Sequence, residues 1–305
     1  VSSEFELIEA ITEALPSNDS VLLGPGDDAA VLRFSGAAVV STDILVESVH
    51  FRRDWSSAAQ IGRKAIAVNV SDVEAMGANP RAVVVSLAIP QGTERDWILD
   101  FAAGVREECT AAGVALVGGD LSGSPQVVVN VTVLGESSGQ VVTRAGARPG
   151  DVVAITGRLG WAGAGHAALS RGFRSPVSVV QAALVPEVAY GAGARAAAAG
   201  ARAMIDVSDG LLQDLGHIAG RSGVAIDVHS AALEIAEPIE RVAVATGRDP
   251  LSFVLCGGED YALAAAFPPE ATLPDGWRAI GSVDAGTGVT VDGEAHPGTG
   301  WDHFS

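Results

Sequence analysis

The feature that most constrains this chain is a short pattern used repeatedly: an apolar run, a small residue, then an aspartate. It occurs as Val39-Val40-Ser41-Thr42-Asp43, Val68-Asn69-Val70-Ser71-Asp72, Val117-Gly118-Gly119-Asp120 and Ile205-Asp206-Val207-Ser208-Asp209. A further acidic stretch, Gly24-Pro25-Gly26-Asp27-Asp28, sets two carboxylates in a loop whose glycines let the backbone come close to a ligand. Carboxylates at the ends of buried elements are costly unless they are hydrogen-bonded, paired with bases or bound to cations. Bases are scarce here, with 19 Lys and Arg against 37 Asp and Glu and a formal charge of −18. For any one aspartate a helix cap or turn is the commoner explanation; recurrence across the chain shifts the balance towards a cation-binding role.

Oxygen ligands with no histidine or cysteine beside them select magnesium, manganese or calcium over zinc, and magnesium pairs a few carboxylates with substrate phosphates. Nucleotide chemistry is therefore the natural suggestion. No Gly-x-x-x-x-Gly-Lys-Ser/Thr loop occurs, and the protein-kinase combination of glycine-rich loop, His-Arg-Asp and Asp-Phe-Gly is absent as well. The common nucleotide folds are thus disfavoured. The negative charge repels bare nucleic acid and anionic membranes, so a phosphate-bearing substrate has to arrive with cations.

Lys64 is the only lysine and precedes Asp72 by eight residues on one predicted helix, about two turns away. It reads equally as a phosphate contact or as a helix-surface cation. Cys109 and Cys256 lie far apart and form no metal or disulfide pattern. Val1 to Leu15 lacks the basic start and continuous apolar stretch of a signal peptide, and no later run reaches the roughly 20 apolar residues that span a bilayer. A soluble cytoplasmic protein is expected.

At 305 residues with 48% apolar content, the chain can fill a sizeable core in one or two domains. An amphipathic helix is predicted from Glu4 to Leu15, then strands at Ala29–Phe34 and Ala37–Ser41, and a long helix from Ser56 or Ser57 towards Met76. Strand Arg81–Ile89, helix Thr93–Ala112, and strands Val114–Val117 and Gln126–Leu134 follow. A polar stretch at Gly135–Gly139 marks a boundary, giving domains 1–138 and 139–305. The second half repeats the alternation: strands Val152–Thr156, Ala203–Val207, Val224–Val228, Tyr261–Phe267 and Arg278–Val283, with helices around Ala162–Ser170, Tyr190–Ala199 and Leu211–Ala219. The glycine-rich stretch beyond Asp284 is expected to be only partly ordered.

Taken in order, these motifs resemble the thiamine-monophosphate kinase family, within the superfamily of aminoimidazole ribonucleotide synthetase and selenophosphate synthetase. The match runs through Gly24–Asp28, Ser41–Asp43, His50-Phe51, Lys64–Asp72, Ala75–Ala78, Gly118–Asp120, Thr143-Arg144, Pro149–Asp151, Asp206–Gly210, Gly257–Tyr261 and the tail Trp301-Asp302-His303-Phe304. The resemblance implies a two-domain α/β (α+β) fold. Its N-terminal α/β domain dimerises through its sheet and binds metal and ATP, and its C-terminal α/β domain covers the nucleotide and substrate cleft.

It further implies ATP-dependent phosphorylation of thiamine monophosphate to the diphosphate by direct in-line transfer with several magnesium ions and no covalent intermediate. Carried over residue by residue, Asp28, Ser41, Thr42, Asp43, Asp72, Asp120, Asp206 and Asp209 are expected as magnesium ligands. Gly119, Asp120, Arg144 and Ser208 are expected on ATP, and His50, Glu259 and Trp301 on the acceptor. Asp27 is expected only to support the loop. Ring-closing or selenophosphate synthesis by a sister enzyme, and a non-catalytic nucleotide- or metal-binding module, are the alternatives. A selenophosphate synthetase is expected to carry a cysteine or selenocysteine before the first glycine-aspartate motif, whereas the first cysteine here is Cys109.

Overall fold

The computed structural model describes residues 11–12, 15–26, 29–137 and 139–296. They form two compact units: one runs to Val73 and resumes at Ala78–Gly139, and the other comprises Glu74–Gly77 and the chain from Gln140 onward.

In the first unit, β1 (Val21–Leu23) and β2 (Val31–Leu32) make a small antiparallel pair. The main sheet holds β3 (Ala37–Val46), β4 (Asn79–Ile89), β5 (Ala115–Gly123) and β6 (Val128–Ser137) in the order β3-β6-β4-β5. β6 is antiparallel to both neighbours, and β4 and β5 run parallel. A parallel pair requires a crossover. Helix α2 (Arg95–Ala112) supplies it, closed by Gly113 in the left-handed region at φ 68°.

β6 alternates fully buried Val129, Val131 and Val133 with half-buried Val128, Asn130, Thr132 and Leu134, as a strand with two unlike faces should. Helix α1 (Ala58–Ala75) is apolar on most sides, and Ala65, Ile66, Val70 and Val73 are fully buried. It meets α2 at glycines: a Cβ on Gly62 would lie 2.3 Å from Phe101 O, and one on Gly104 would lie 2.0 Å from Ala59 O. Only glycine permits that approach.

The second unit is built on β7 (Val152–Thr156), β8 (Ala203–Val207), β9 (Ala225–Val228), β10 (Ala262–Phe267), β11 (Arg278–Asp284) and β12 (Gly288–Val291), ordered β12-β9-β11-β7-β10-β8. All pairs are antiparallel except β12 with β9. Its helices are α3 (Trp161–Ser170), α4 (Val177–Leu184), α5 (Ala192–Ala198), α6 (Leu211–Ser222), α7 (Glu237–Thr246) and α8 (Pro250–Cys256). Successive strand residues serve opposite cores. Val153, Ile155, Ile205, Val207 and Ala264 pack with α6 residues Leu211, Leu215 and Ile218, while Ala154, Met204, Leu263 and Ala265 pack with Ala192, Ala196, Phe267 and Trp277. Two buried faces explain why these strands read as continuous apolar runs.

Several expectations are corrected. The strand predicted at Ala29–Phe34 is only Val31–Leu32. β3 does not stop at Ser41, because its ladder with β6 continues through Asp43↔Val131 to Val46↔Val128. β5 likewise runs past Val117 through Asp120 to Gly123, held by parallel pairing with β4. Polar side chains did not end either strand, since backbone pairing continues regardless of what projects outward. β12 lies in the stretch beyond Asp284 that was expected to be only partly ordered. The predicted helix Glu4–Leu15 falls almost wholly outside the described residues, as do Asp27, Asp28 and Trp301.

Candidate active site

In the first unit, the middle of β3 lies against α1. Ser41 Oγ donates to Asp72 Oδ2 at 2.5 Å. Asp43 N–H is accepted by Asn69 Oδ1 at 2.9 Å, and Asn69 is itself fixed by donating to Ala65 O at 2.9 Å. Asp43 is open to solvent on one side and walled on the other, and that partial burial raises its carboxyl above the ordinary range.

Thr42 is one residue out of phase, so its side chain leaves the other face of the strand. There its hydroxyl donates to Val131 O at 2.9 Å and receives Asn130 Nδ2 at 3.1 Å. The structure therefore brings Ser41 and Asp72 together but turns the Thr42 hydroxyl away from them.

Asp120 stands exposed on β5, in register with Ser86. Gly119 beside it has a packing reason of its own, because a Cβ there would lie 2.2 Å from Val85 O of β4. His50 sits in the turn after β3, where its Nδ1 accepts Val46 N–H at 3.0 Å and its carbonyl accepts Lys64 Nζ at 2.9 Å. With Nδ1 accepting, the ring proton resides on Nε2.

The donors gathered between β3 and α1 are hydroxyl and carboxylate oxygens, and Asp43 is a partly dehydrated carboxylate. That chemistry fits a hard divalent cation.

In the second unit, Asp206 is buried on β8, and Ser208-Asp209-Gly210 link that strand to α6. Asp214, one turn into α6, accepts the N–H groups of Asp209 at 3.1 Å and Gly210 at 3.0 Å. Burial, reinforced by Asp209, pushes the Asp214 carboxyl up to about 7, against those N–H groups and the charge of Arg144. Ligand atoms of Asp209, Asp214 and His217 lie within 4.8 Å of one another, an arrangement able to hold a cation.

The Gly257–Tyr261 turn lies alongside Val207-Ser208. Glu259 N donates to Ser208 O at 2.7 Å and Tyr261 N to Val207 O at 2.9 Å, while a Cβ on Gly258 would come within 2.6 Å of Ser208 O. Glu259 and Tyr261 hold φ of 63° and 52°, conformations that non-glycine residues adopt at a cost and that gather at working sites. The Glu259 carboxylate is engaged by His166 of α3. Thus the structure joins Ser208 to Glu259 within this unit, and Arg144 lies near enough to Asp214 to influence its carboxyl.

Asp260 anchors the same turn. It is buried at the start of α3, accepting the N–H groups of Gly160 at 2.5 Å and Ala162 at 2.9 Å. Burial pushes its carboxyl up to about 7, opposed by those N–H groups, that of Trp161 and the Arg158 charge. The folded state therefore holds this proton more tightly than the unfolded chain, where the ordinary value is 3.8. Its contribution to stability is full below that value and is lost as pH rises through about 7. Urea denaturation of wild type minus Asp260→Asn should leave a difference that falls between about pH 4 and 7. A flat difference would contradict the raised carboxyl.

Asn69, His166, Asp214 and His217 were not singled out by sequence reasoning. Asn69 carries a readable signal, an amide in the middle of an apolar helix, whereas His166 carries none. Neither of two surface hollows coincides with these residues: one of about 470 Å³ is bordered by Pro16 and Arg106, and one of about 210 Å³ by Phe173 and Arg241. Among the described residues, no helix is long and apolar enough to cross a membrane.

Comparison with known proteins gives the family. Residues 26–137 match the N-terminal domain, and residues 148–292 the C-terminal domain, of the AIR synthase related proteins, the class to which this two-domain fold belongs. The chain is 46% identical to the thiamine-monophosphate kinase of Mycobacterium tuberculosis strain H37Rv, across 99% of this chain and 91% of that one. The structure of AaThiL complexed with AMPPCP and TMP aligns with a TM-score of 0.82 at 35% identity, covering 99% of this chain and 97% of the other. Thiamine-monophosphate kinase from Stenotrophomonas maltophilia K279a aligns at 0.81 and 33%, with 96% of each chain covered. The chain belongs to the thiamine-monophosphate kinase family.

Proposed function

We propose that this protein transfers the terminal phosphoryl group of ATP to the phosphate of thiamine monophosphate, giving thiamine diphosphate and ADP with the help of several Mg²⁺ ions. The observation that carries the reading is the Ser41–Asp72 contact beside Asp43, in a chain that follows a thiamine-monophosphate kinase over 99% of its length.

Asp43, Asp72 and Asp120 hold cations in the first unit and Asp206 and Asp209 in the second. Ser41 supplies a further oxygen and Asp28 completes the proposed set, while Thr42 is expected there from the resemblance alone, its hydroxyl being engaged with Val131 O on the other face of β3. When bound, the ions offset the repulsion between two polyanions, which for unit charges about 4 Å apart is roughly 4 kcal/mol at an effective dielectric of 20.

The chain's own contribution is placement. Asp43 is carried by a strand paired on one side to β6 and tied to Asn69, so its position is set before substrate arrives. Gly119, Asp120, Arg144 and Ser208 attend the nucleotide. On the acceptor side His50 offers its Nε2–H to phosphate, Glu259 offers negative charge to the cationic ring, and Trp301 offers an aromatic face. The acceptor phosphate oxygen is already ionised near neutral pH, so no side chain has to remove a proton.

The enzyme acts in the cytoplasm, a reading supported by its unbridged Cys109 and Cys256. It works as a homodimer formed through the outer face of the four-stranded sheet, where Val40 and Ile44 stand 60% and 51% exposed. Purified protein given ATP, Mg²⁺ and thiamine monophosphate should yield thiamine diphosphate and ADP in equal amounts, and EDTA should stop the reaction. No thiamine diphosphate across a range of metals and salts would overturn the activity. Sedimentation of the same preparation at the mass of one chain would remove the dimer.

A further inference from the structure

Lys64 is the chain's single lysine, and it is 3% exposed. A buried ammonium is costly unless its donors are used, which excludes the helix-surface role left open by the sequence. Its Nζ donates to the carbonyl of His50.

That carbonyl belongs to a tightly wound turn. Val49 N and His50 N both donate to Val46 O, at 3.1 and 2.9 Å, and Ser48 N donates to Phe51 O at 2.7 Å. Ser48 holds φ 69° without being glycine, so the turn is conformationally demanding. The imidazole is drawn into the same turn through Val46 N and Nδ1. Ring orientation, ring tautomer and turn geometry are therefore one unit, and Lys64 ties that unit to α1.

The same helix carries Asn69, which fixes the Asp43 backbone, and Asp72, which receives Ser41. Eight residues separate Lys64 from Asp72, about 12 Å along a helix axis. We propose that Lys64 is a positioning residue for acceptor recognition: it fixes the His50 turn on α1 so that the imidazole Nε2–H is presented to the acceptor phosphate at a set distance from the carboxylates at the helix's other end. The inference rests on the reading of His50 as an acceptor contact, and the test separates the two.

Lys64→Met keeps the aliphatic stem and removes the ammonium. It should raise KM for thiamine monophosphate about 10-fold while kcat and KM for ATP stay within about 2-fold. His50→Gln should raise the same KM, and adding Lys64→Met to it should change nothing further, because both act through one hydrogen bond. Should Lys64→Met not fold, Lys64→Arg replaces it in the cycle. Its longer planar head displaces the His50 carbonyl, and an acceptor-only rise of about 3-fold is expected. Equal rises in both KM values, or effects of the two substitutions that multiply, would overturn the positioning role while leaving His50 on the acceptor side. An unchanged acceptor KM in His50→Gln would bring down that reading and this inference together.

Discussion

Replacing Asp43 with Asn is expected to lower kcat about 100- to 1,000-fold, the range seen when a preorganised electrostatic group is removed from an active site. The fold should survive. Asp43 is partly buried, its carboxyl is raised by that burial, and its structural bond to Asn69 runs through the backbone N–H, which the substitution keeps. An amide of the same shape removes the charge that a cation needs and also removes a desolvation cost, so the melting temperature should be no lower than that of wild type. Asp120→Asn should behave alike, because its side chain projects from β5 while the ladder with β4 is made by the backbone. Steady-state kinetics beside thermal melts checks both, and near-normal turnover in the pair would remove these residues from the metal-binding set.

The largest stability effect is expected at Glu74, in the last turn of α1. Its carboxylate is 1% exposed and accepts the N–H groups of Gly191 at 2.7 Å and Gly193 at 2.9 Å, at the start of α5. Packing there is close enough that a Cβ on Gly193 would lie 1.8 Å from Glu74 O. Burial raises the Glu74 carboxyl, countered by the two N–H groups and Arg195, so the group is held at some cost. Its removal leaves two buried donors unpaired and a cavity beside the Ala75, Ala192 and Ala196 cluster. Glu74→Ala should therefore lose about 3 kcal/mol in urea denaturation, and Glu74→Gln, which retains one acceptor oxygen, about half as much. A loss below about 0.5 kcal/mol for Glu74→Ala would show that water or rearrangement satisfies those donors.

Much of the architecture was legible because its elements are long and strongly patterned. α1 and α2 carry clear periodicity and end at Gly77 and Gly113, both with positive φ. β7 and β8 coincide with the runs read from the sequence because apolar residues serve both of their faces. The aspartate motifs were visible as strings, and Asp72 on the long helix and Asp206 within strand Ala203–Val207 lie where the pattern puts them. Asp43 and Asp120 do not: read as lying beyond strands that end at Ser41 and Val117, they stand inside β3 and β5, whose ladders continue past them.

Local sequence also left helices unassigned. Val177–Leu184 contains three valines, a composition that favours strands, yet it forms α4 and buries Val179, Val180, Ala182, Ala183 and Leu184. In α7 the signals were present but went unused: Pro238 near the start, Glu237 and Glu240 in the first turn, and Gly247 at the end. Lys64 and His166 illustrate a different limit. Their partners, His50 and Glu259, are 14 and 93 residues away in sequence, and no spacing rule connects them.

The central claim is that β3 and α1 place oxygen donors around divalent cations. The most direct measurement is a crystal structure grown with a non-hydrolysable ATP analogue, Mg²⁺ and thiamine monophosphate. Cation density is predicted at about 2.0–2.1 Å from carboxylate oxygens of Asp43 and Asp72, the distance magnesium demands. Both substrates bound in full with those two carboxylates touching no cation would contradict it.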